Sequence, residues 1–253
     1  MSLPRAVAAI LAALLLARPG DARARDITGV REFPFDLIRG VREELRTEGI
    51  LTFAAAGALA ANSRFGESAD FDDFRIARTL ETHQPLGRDV TNAADVIGYP
   101  GVLMAAMAAT YAGGWYGDNE TAKEAGLLGF EALSLAGIQT LILKVSVDRL
   151  RPDETDRQAF PSGHTSASFA LASLAGSRWG WKIGLPSSML AAFVGYTRME
   201  RRNHYFSDVI FGAGLGIASG RAVYKGRRNA YPDRYAVSPY VSPFGAGLSV
   251  RFR

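Results

Sequence analysis

From Val96 to Gly117 the chain carries no charged residue, and from Ala125 to Leu143 only Glu131 interrupts an equally apolar run. Such runs are too long for strands and read as helices buried on most sides. Three shorter apolar runs follow at Ser162–Ser177, Ile183–Thr197 and Ser207–Tyr224. Ala, Gly and Ser recur in all of them, which permits close helix–helix approach. Upstream, Gly49–Ala61 is a further apolar stretch, while Ser63–Asp95 is polar, with Asp70, Asp72, Asp73 and a Pro85-Leu86-Gly87 turn signal. The expectation is an all-α fold, a bundle of about six helices over residues 49–230, entered through a linker and short helix at 25–48. The tail, 231–253, departs from this pattern. Pro and Gly break any helix there, and Leu248, Val250 and Phe252 alternate with Ser249, Arg251 and Arg253, the period-two signature of a short C-terminal strand or half of a hairpin. Nothing upstream reads as the strands of a barrel.

A length of 253 residues with 48% apolar content suffices for one well-buried domain. Residues 1–24 read as a signal peptide: Arg5, then the apolar Ala6–Ala17, then Pro19-Gly20 and a small-x-small site at Ala22-Arg23-Ala24. The apolar run is shorter than the roughly 20 residues of a span, although an uncleaved anchor is the alternative. Either reading exports the domain, to the periplasm or to the inner membrane with its site facing the periplasm. These 24 residues hold Arg5, Arg18 and Arg23 against Asp21 alone, half of the formal net charge of +4. What remains is near neutral, so composition gives nucleic acid as a partner no support. The absence of cysteine excludes disulfides, thiolate metal sites and thiol nucleophiles. Membrane association stays open. Val96–Gly117 is long enough to span, but the last three apolar runs are short for a core of about 30 Å, Arg178, Lys182 and Arg221 interrupt them, and mean hydropathy is +0.02.

Three blocks carry chemistry. The first is Lys144, six residues, then Arg151-Pro152; the second is Phe160-Pro161-Ser162-Gly163-His164-Thr165; the third is Thr197-Arg198, with His204 and Asp208 downstream. Two of the three histidines of the chain fall in these blocks. Taken alone, each block has a plain structural reading. Lys144, Arg149 and Arg151 could simply flank a helix C-terminus, where cations favour the dipole. Ser162 could be an ordinary N-cap, and His204 with Asp208 a surface pair sharing a helix face. Read for chemistry, Gly163 lets backbone approach a ligand, and the amides of Ser162, Gly163 and His164 at a helix N-terminus suit an anion. A carboxylate on one imidazole nitrogen leaves the other free as a nucleophile. A phosphoryl group in transfer spreads charge over its oxygens, and converging cations answer that need.

In this order the blocks resemble the type 2 phosphatidic acid phosphatase superfamily, which includes the vanadium haloperoxidases, over roughly residues 90–225. The resemblance implies His204 as a nucleophile forming a phosphohistidine, Asp208 orienting it, and His164 as general acid and then base. It implies Lys144, Arg151, Ser162, Gly163 and Arg198 as phosphate-binding residues, with no metal and no cofactor. The expected substrate is a phosphorylated lipid or small molecule, as phosphomonoester or pyrophosphate. The family's third block commonly opens with Ser, here Thr197, and the insert Met199–Asn203 is more charged than the family pattern. Arg201 and Arg202 read as solvated and partly paired with Glu200, His83 as a surface residue, and Glu131 as paired or at the bundle rim. Two other functions fit the same cations: an inactive phospholipid-binding envelope protein, and a vanadate-dependent haloperoxidase, although those enzymes are usually much larger. Oligomeric state is not legible.

Overall fold

The computed structural model describes residues 32–65, 72–230, 235–242 and 245–252. Among them are nine helices: α1 (Phe33–Glu44), α2 (Thr47–Phe65), α3 (Asp73–Thr82), α4 (Arg88–Gly98), α5 (Pro100–Tyr116), α6 (Glu120–Val147), α7 (Gly163–Trp179), α8 (Trp181–Glu200) and α9 (Phe206–Ala230). The fold is all-α, with nine helices where about six were expected. The polar Ser63–Asp95 segment, where no helix was placed, contributes α3 and most of α4. Local chemistry starts them. Asp72 caps α3 by accepting from the amides of Phe74 and Arg75, and α4 begins after Gly87 in the turn foreseen there.

The charge-free run Val96–Gly117 is also not one helix. It breaks at Tyr99, and α4 and α5 meet at a bend of 51°. Pro100 has no amide to donate and disfavours helical geometry in the residue before it, and Tyr99 accordingly lies extended at φ −65° and ψ 120°. α6 ends at Asp148 in the left-handed region. α7 ends at Gly180, whose φ of +82° turns the chain directly into α8.

Missing side chains set the helix spacing. A Cβ on Gly212, Gly216 or Gly220 of α9 would fall within 2.8, 2.3 and 2.2 Å of the carbonyl oxygens of Ser162, Ser166 and Ala170 on α7. These glycines recur every four residues, so α7 and α9 run parallel in near backbone contact along one face. α8 returns antiparallel from α7, tight at Gly176 and Gly184. α5 meets α6 at Gly114 and Gly126, where an added Cβ would strike backbone. Leu37, Leu128, Ala132, Leu135, Ala170, Leu174, Leu215 and Val223 form the core between α1, α6, α7 and α9.

This topology puts the C-terminal ends of α6 and α8 and the N-terminal ends of α7 and α9 at one pole of the bundle. All three sequence blocks lie there. The α5–α6 and α7–α8 turns mark the other pole, where Arg178 pairs with Glu124 at 2.6 Å. In the tail, β1 (Tyr235–Ser242) and β2 (Gly245–Phe252) form an antiparallel hairpin, registered from Tyr235 opposite Phe252 to Ser242 opposite Gly245. The alternation at Leu248–Phe252 falls in β2. The signal-peptide reading of residues 1–24, the linker residues before Glu32, and Asp70 lie outside the described residues.

Candidate active site

Each block owes its position to a helix end. Lys144 sits one turn before the end of α6, and its ammonium donates to the carbonyl of Gln158. A Cβ on Gly163 would lie 4.0 Å from Lys144 Cε, so the bare glycine faces the lysine stem. Arg151 follows in the loop, tied by Nε to Asp156 Oδ1 at 2.8 Å. Ser162 caps α7 and is fully buried, and its hydroxyl accepts from Thr165 Oγ1 at 2.9 Å. Its amide donates to the Asp208 carbonyl at 3.0 Å. The expected nest of three amides is therefore reduced to Gly163 and His164, the first two helical positions, whose amides have no acceptor within the helix. Arg198 and His164 complete the set, and His164 lies in electrostatic reach of Arg198, Asp95, His204 and Arg151.

His204 is buried in the Arg201–Tyr205 turn between α8 and α9. Its Nδ1 lies 2.6 Å from the carbonyl oxygen of Ala159. A carbonyl only accepts, so Nδ1 carries the proton and Nε2 keeps its lone pair. Burial pushes the imidazole below the ordinary histidine value, while Asp208 pulls it up. Asp208 Oδ2 is 3.9 Å from Nδ1 and accepts from the Tyr205 amide at 2.8 Å. The carboxylate thus holds the turn that carries His204 and lends it charge, and the nearest partner of Nδ1 is main chain.

Three residues outside the expected set hold this arrangement. Arg149 donates to Asp208 Oδ1 at 2.6 Å, Ser207 Oγ at 2.7 Å and Asp73 Oδ2 at 2.8 Å, with its guanidinium over the Tyr205 ring. Asp73, fully buried at the start of α3, also accepts from the Ser207 amide at 2.8 Å and from Ser63 Oγ at 2.9 Å. Asp95 of α4 reaches Arg198 and lies 3.1 Å from His164 Nε2. Arg149 sits two residues before Arg151, and Asp73 ends an acidic cluster. These were the available signals, and neither names its partner.

Other expectations resolve more simply. Arg201 donates to Asn92 Oδ1 at 2.7 Å, and Arg202 pairs with Glu81 at 3.0 Å and bonds the Pro152 carbonyl. Glu200 is buried and accepts from the Leu86 amide at 2.8 Å. The expected pairing of these arginines with Glu200 is therefore replaced by bonds to α3, α4 and the Arg151 loop. Glu131 is fully buried 3.1 Å from Arg227, and exposed His83 ends α3. Among the described residues no group of three or more His, Cys, Asp or Glu side chains could hold a metal ion.

A model described as the PAP2 superfamily matches residues 126–232. A lipid A 1-phosphatase of Porphyromonas gingivalis is 41% identical over 85 residues, which cover 32% of this chain and 19% of that protein. A PA-phosphatase related-family protein of Dictyostelium discoideum is 29% identical over 123 residues, 38% of this chain and 45% of that one. The chain spans less than half the length of these curated relatives. Its fold matches the crystal structure of a transmembrane PAP2-type phosphatidylglycerolphosphate phosphatase from Bacillus subtilis. That match has a TM-score of 0.60 at 21% identity, covering 73% of this chain and 98% of the other.

Proposed function

The chain belongs to the PAP2 superfamily, whose model matches residues 126–232, and on that premise we propose that it is a metal-independent phosphatase. It hydrolyses a phosphomonoester or pyrophosphate through a phosphohistidine intermediate. The observation that carries this reading is the state of His204: Nδ1 is committed to the Ala159 carbonyl at 2.6 Å, and Nε2 is left as a neutral nucleophile with Lys144 and Arg198 in electrostatic range.

In the first step Nε2 attacks phosphorus. The P–N bond forms as the bond to the leaving oxygen breaks, and His164 gives that oxygen its proton. Lys144, Arg151 and Arg198, the Gly163 and His164 amides and the Ser162 hydroxyl hold the phosphoryl oxygens, over which the transferring group spreads its charge. In the second step His164 takes a proton from water, whose oxygen attacks phosphorus. The P–N bond then breaks, releasing inorganic phosphate and neutral His204. Fixed side-chain cations supply the charge that a divalent metal supplies in other phosphoryl-transfer sites.

A lipid phosphate is the substrate class the surface supports. Leu185, Met189, Leu190 and Phe193 of α8 and Ile138 and Leu141 of α6 are all exposed, an apolar belt that suits a bilayer. Among the described residues α6 is long and apolar enough to cross a membrane, and the bent pair of α4 and α5 passes the same test together. The similar proteins named above are called after phosphorylated lipids or phosphatidic acid phosphatase. A site facing the periplasm agrees with the export reading of the N-terminus.

Phosphate release from phosphatidate, an isoprenoid diphosphate and 4-nitrophenyl phosphate, with chelator present, tests the proposal. Turnover is expected to survive chelation, to favour a lipid, and to vanish in His204→Ala. A parent inactive on every ester, or a His204→Ala variant that keeps its rate, would put an inactive phospholipid-binding protein in its place.

A further inference from the structure

Among the described residues, Asp95 is the one carboxylate the family motifs do not call for that nevertheless touches two members of the candidate site. It projects from the last turns of α4, about one-third exposed, to contact Arg198. The same oxygen lies 3.1 Å from His164 Nε2, and the other lies 3.9 Å from an Arg201 nitrogen. Its aim is fixed from two sides. α4 packs against α8 so closely that a Cβ on Gly98 would strike Val194 at 2.4 Å. Tyr99, the residue at the bend into α5, sets its ring against the His164 imidazole at 5.7 Å between centroids.

Two demands meet on this carboxylate. Arg198 is a guanidinium that an incoming phosphoryl group would use, so substrate and Asp95 compete for it. His164 must carry a proton when the leaving oxygen departs, although burial, and after it Arg198, push its imidazole down to about 4, with Asp95 pulling the other way. A fixed carboxylate is the means by which an imidazolium is held and oriented in cationic surroundings.

We infer that Asp95 is a positioning residue shared between Arg198 and His164, which yields Arg198 to the arriving phosphoryl group and remains as the partner of the His164 imidazolium. The inference rests on the reading of His164 as general acid. In the empty site Asp95 stands in for substrate on Arg198, which keeps the guanidinium aimed and raises the threshold for anion binding. In the occupied site its charge belongs to the acid alone. No atom of Asp95 enters a covalent step.

Two measurements on Asp95→Asn decide it, with Asp95→Ser as a second variant should the first fail to fold. The first is calorimetric titration of detergent-solubilised protein with orthovanadate. Loss of the competing carboxylate is expected to tighten binding about two- to fivefold, the range for one partly exposed ion pair. The second compares phenyl phosphate with 4-nitrophenyl phosphate, which differ in how much the leaving oxygen needs a proton. The loss of turnover on phenyl phosphate is expected to exceed that on 4-nitrophenyl phosphate by about tenfold. A merely structural role would slow both esters equally. Equal losses, or unchanged or weaker orthovanadate binding, overturn the inference. Failure of the underlying catalytic reading is seen separately, in an inactive parent or an active His204→Ala. In that event the titration alone still decides whether Asp95 competes for the cradle.

Discussion

Arg149 donates to two fully buried carboxylates at once, Asp208 at 2.6 Å and Asp73 at 2.8 Å. Truncating it leaves both anions without their cation, and breaking a buried pair in this way costs about 3–5 kcal/mol. Arg149→Ala is therefore expected to lower the denaturation midpoint sharply. It should also slow phosphate release by on the order of a hundredfold, because Asp208 and the Ser207 amide set the turn that carries His204. Arg149→Lys is expected to recover little of either, since one ammonium cannot reproduce a planar fork across three acceptors. Unfolding in urea and phosphate release on the same preparations check both. A lysine variant with parental rate would show that only charge matters at this position. The candidate site residues read from the sequence, Lys144, Arg151, Ser162, Gly163, His164, Arg198, His204 and Asp208, lie in local blocks whose spacing can be read along the chain. Apart from Ser63, the hydrogen-bond and ion-pair partners named for Arg149, Asp73 and Asp95 lie 58 to 134 residues away, and Ala159 acts through its main chain. No local pattern encodes such pairings.

At the scale of elements, the N-terminal end of α7, which carries Gly163 and His164, is placed by α9. The two run parallel, and a Cβ on Gly216 would come within 2.3 Å of the Ser166 carbonyl and 2.8 Å of the Ala170 amide nitrogen. Both obstacles are backbone, so no side chain can swing aside. Gly216→Val must push the helices apart, at a cost of about 1–3 kcal/mol or more for overpacking, and tilt Gly163 and His164 away from His204. The expected result is a folded but less stable protein whose kcat falls more than its KM rises. A variant with parental melting and parental kcat would mean that the helices have slack at this contact. The frequency of Ala, Gly and Ser announced close packing, but which glycine meets which backbone depends on helix direction. Two features of the helix pattern escape the sequence for related reasons. Pro100 carried a stop signal that an uninterrupted apolar run masked, and α3 and α4 are mixed in composition because each packs only one face against the bundle.

For the whole molecule, composition concealed the most about the membrane. Charges such as Asp36, Glu131 and Arg227 depress mean hydropathy, yet they are buried against one another, with Arg227 2.9 Å from Asp36 and 3.1 Å from Glu131. Surface, not composition, is what lipid meets, and the surface of α8 between its ends is apolar. α8 has 20 residues, a length of about 30 Å, comparable with a hydrocarbon core of about 30 Å. The three tryptophans of the chain lie at one end of the bundle. Trp115 closes α5, Trp179 closes α7 and Trp181 opens α8; they are 63%, 47% and 73% exposed, and all sit at the pole opposite the site. Tryptophan favours the headgroup level, so this pole is expected at one interface and His204 near the other. In vesicles of phospholipid brominated near the headgroup, tryptophan fluorescence is expected to be quenched more strongly than with bromine at the chain ends. Strongest quenching from the chain ends would place the tryptophans at mid-bilayer and the site away from the opposite interface. No quenching by either lipid would mean that the belt on α6 and α8 never enters a bilayer, leaving a water-soluble ester as the substrate to pursue.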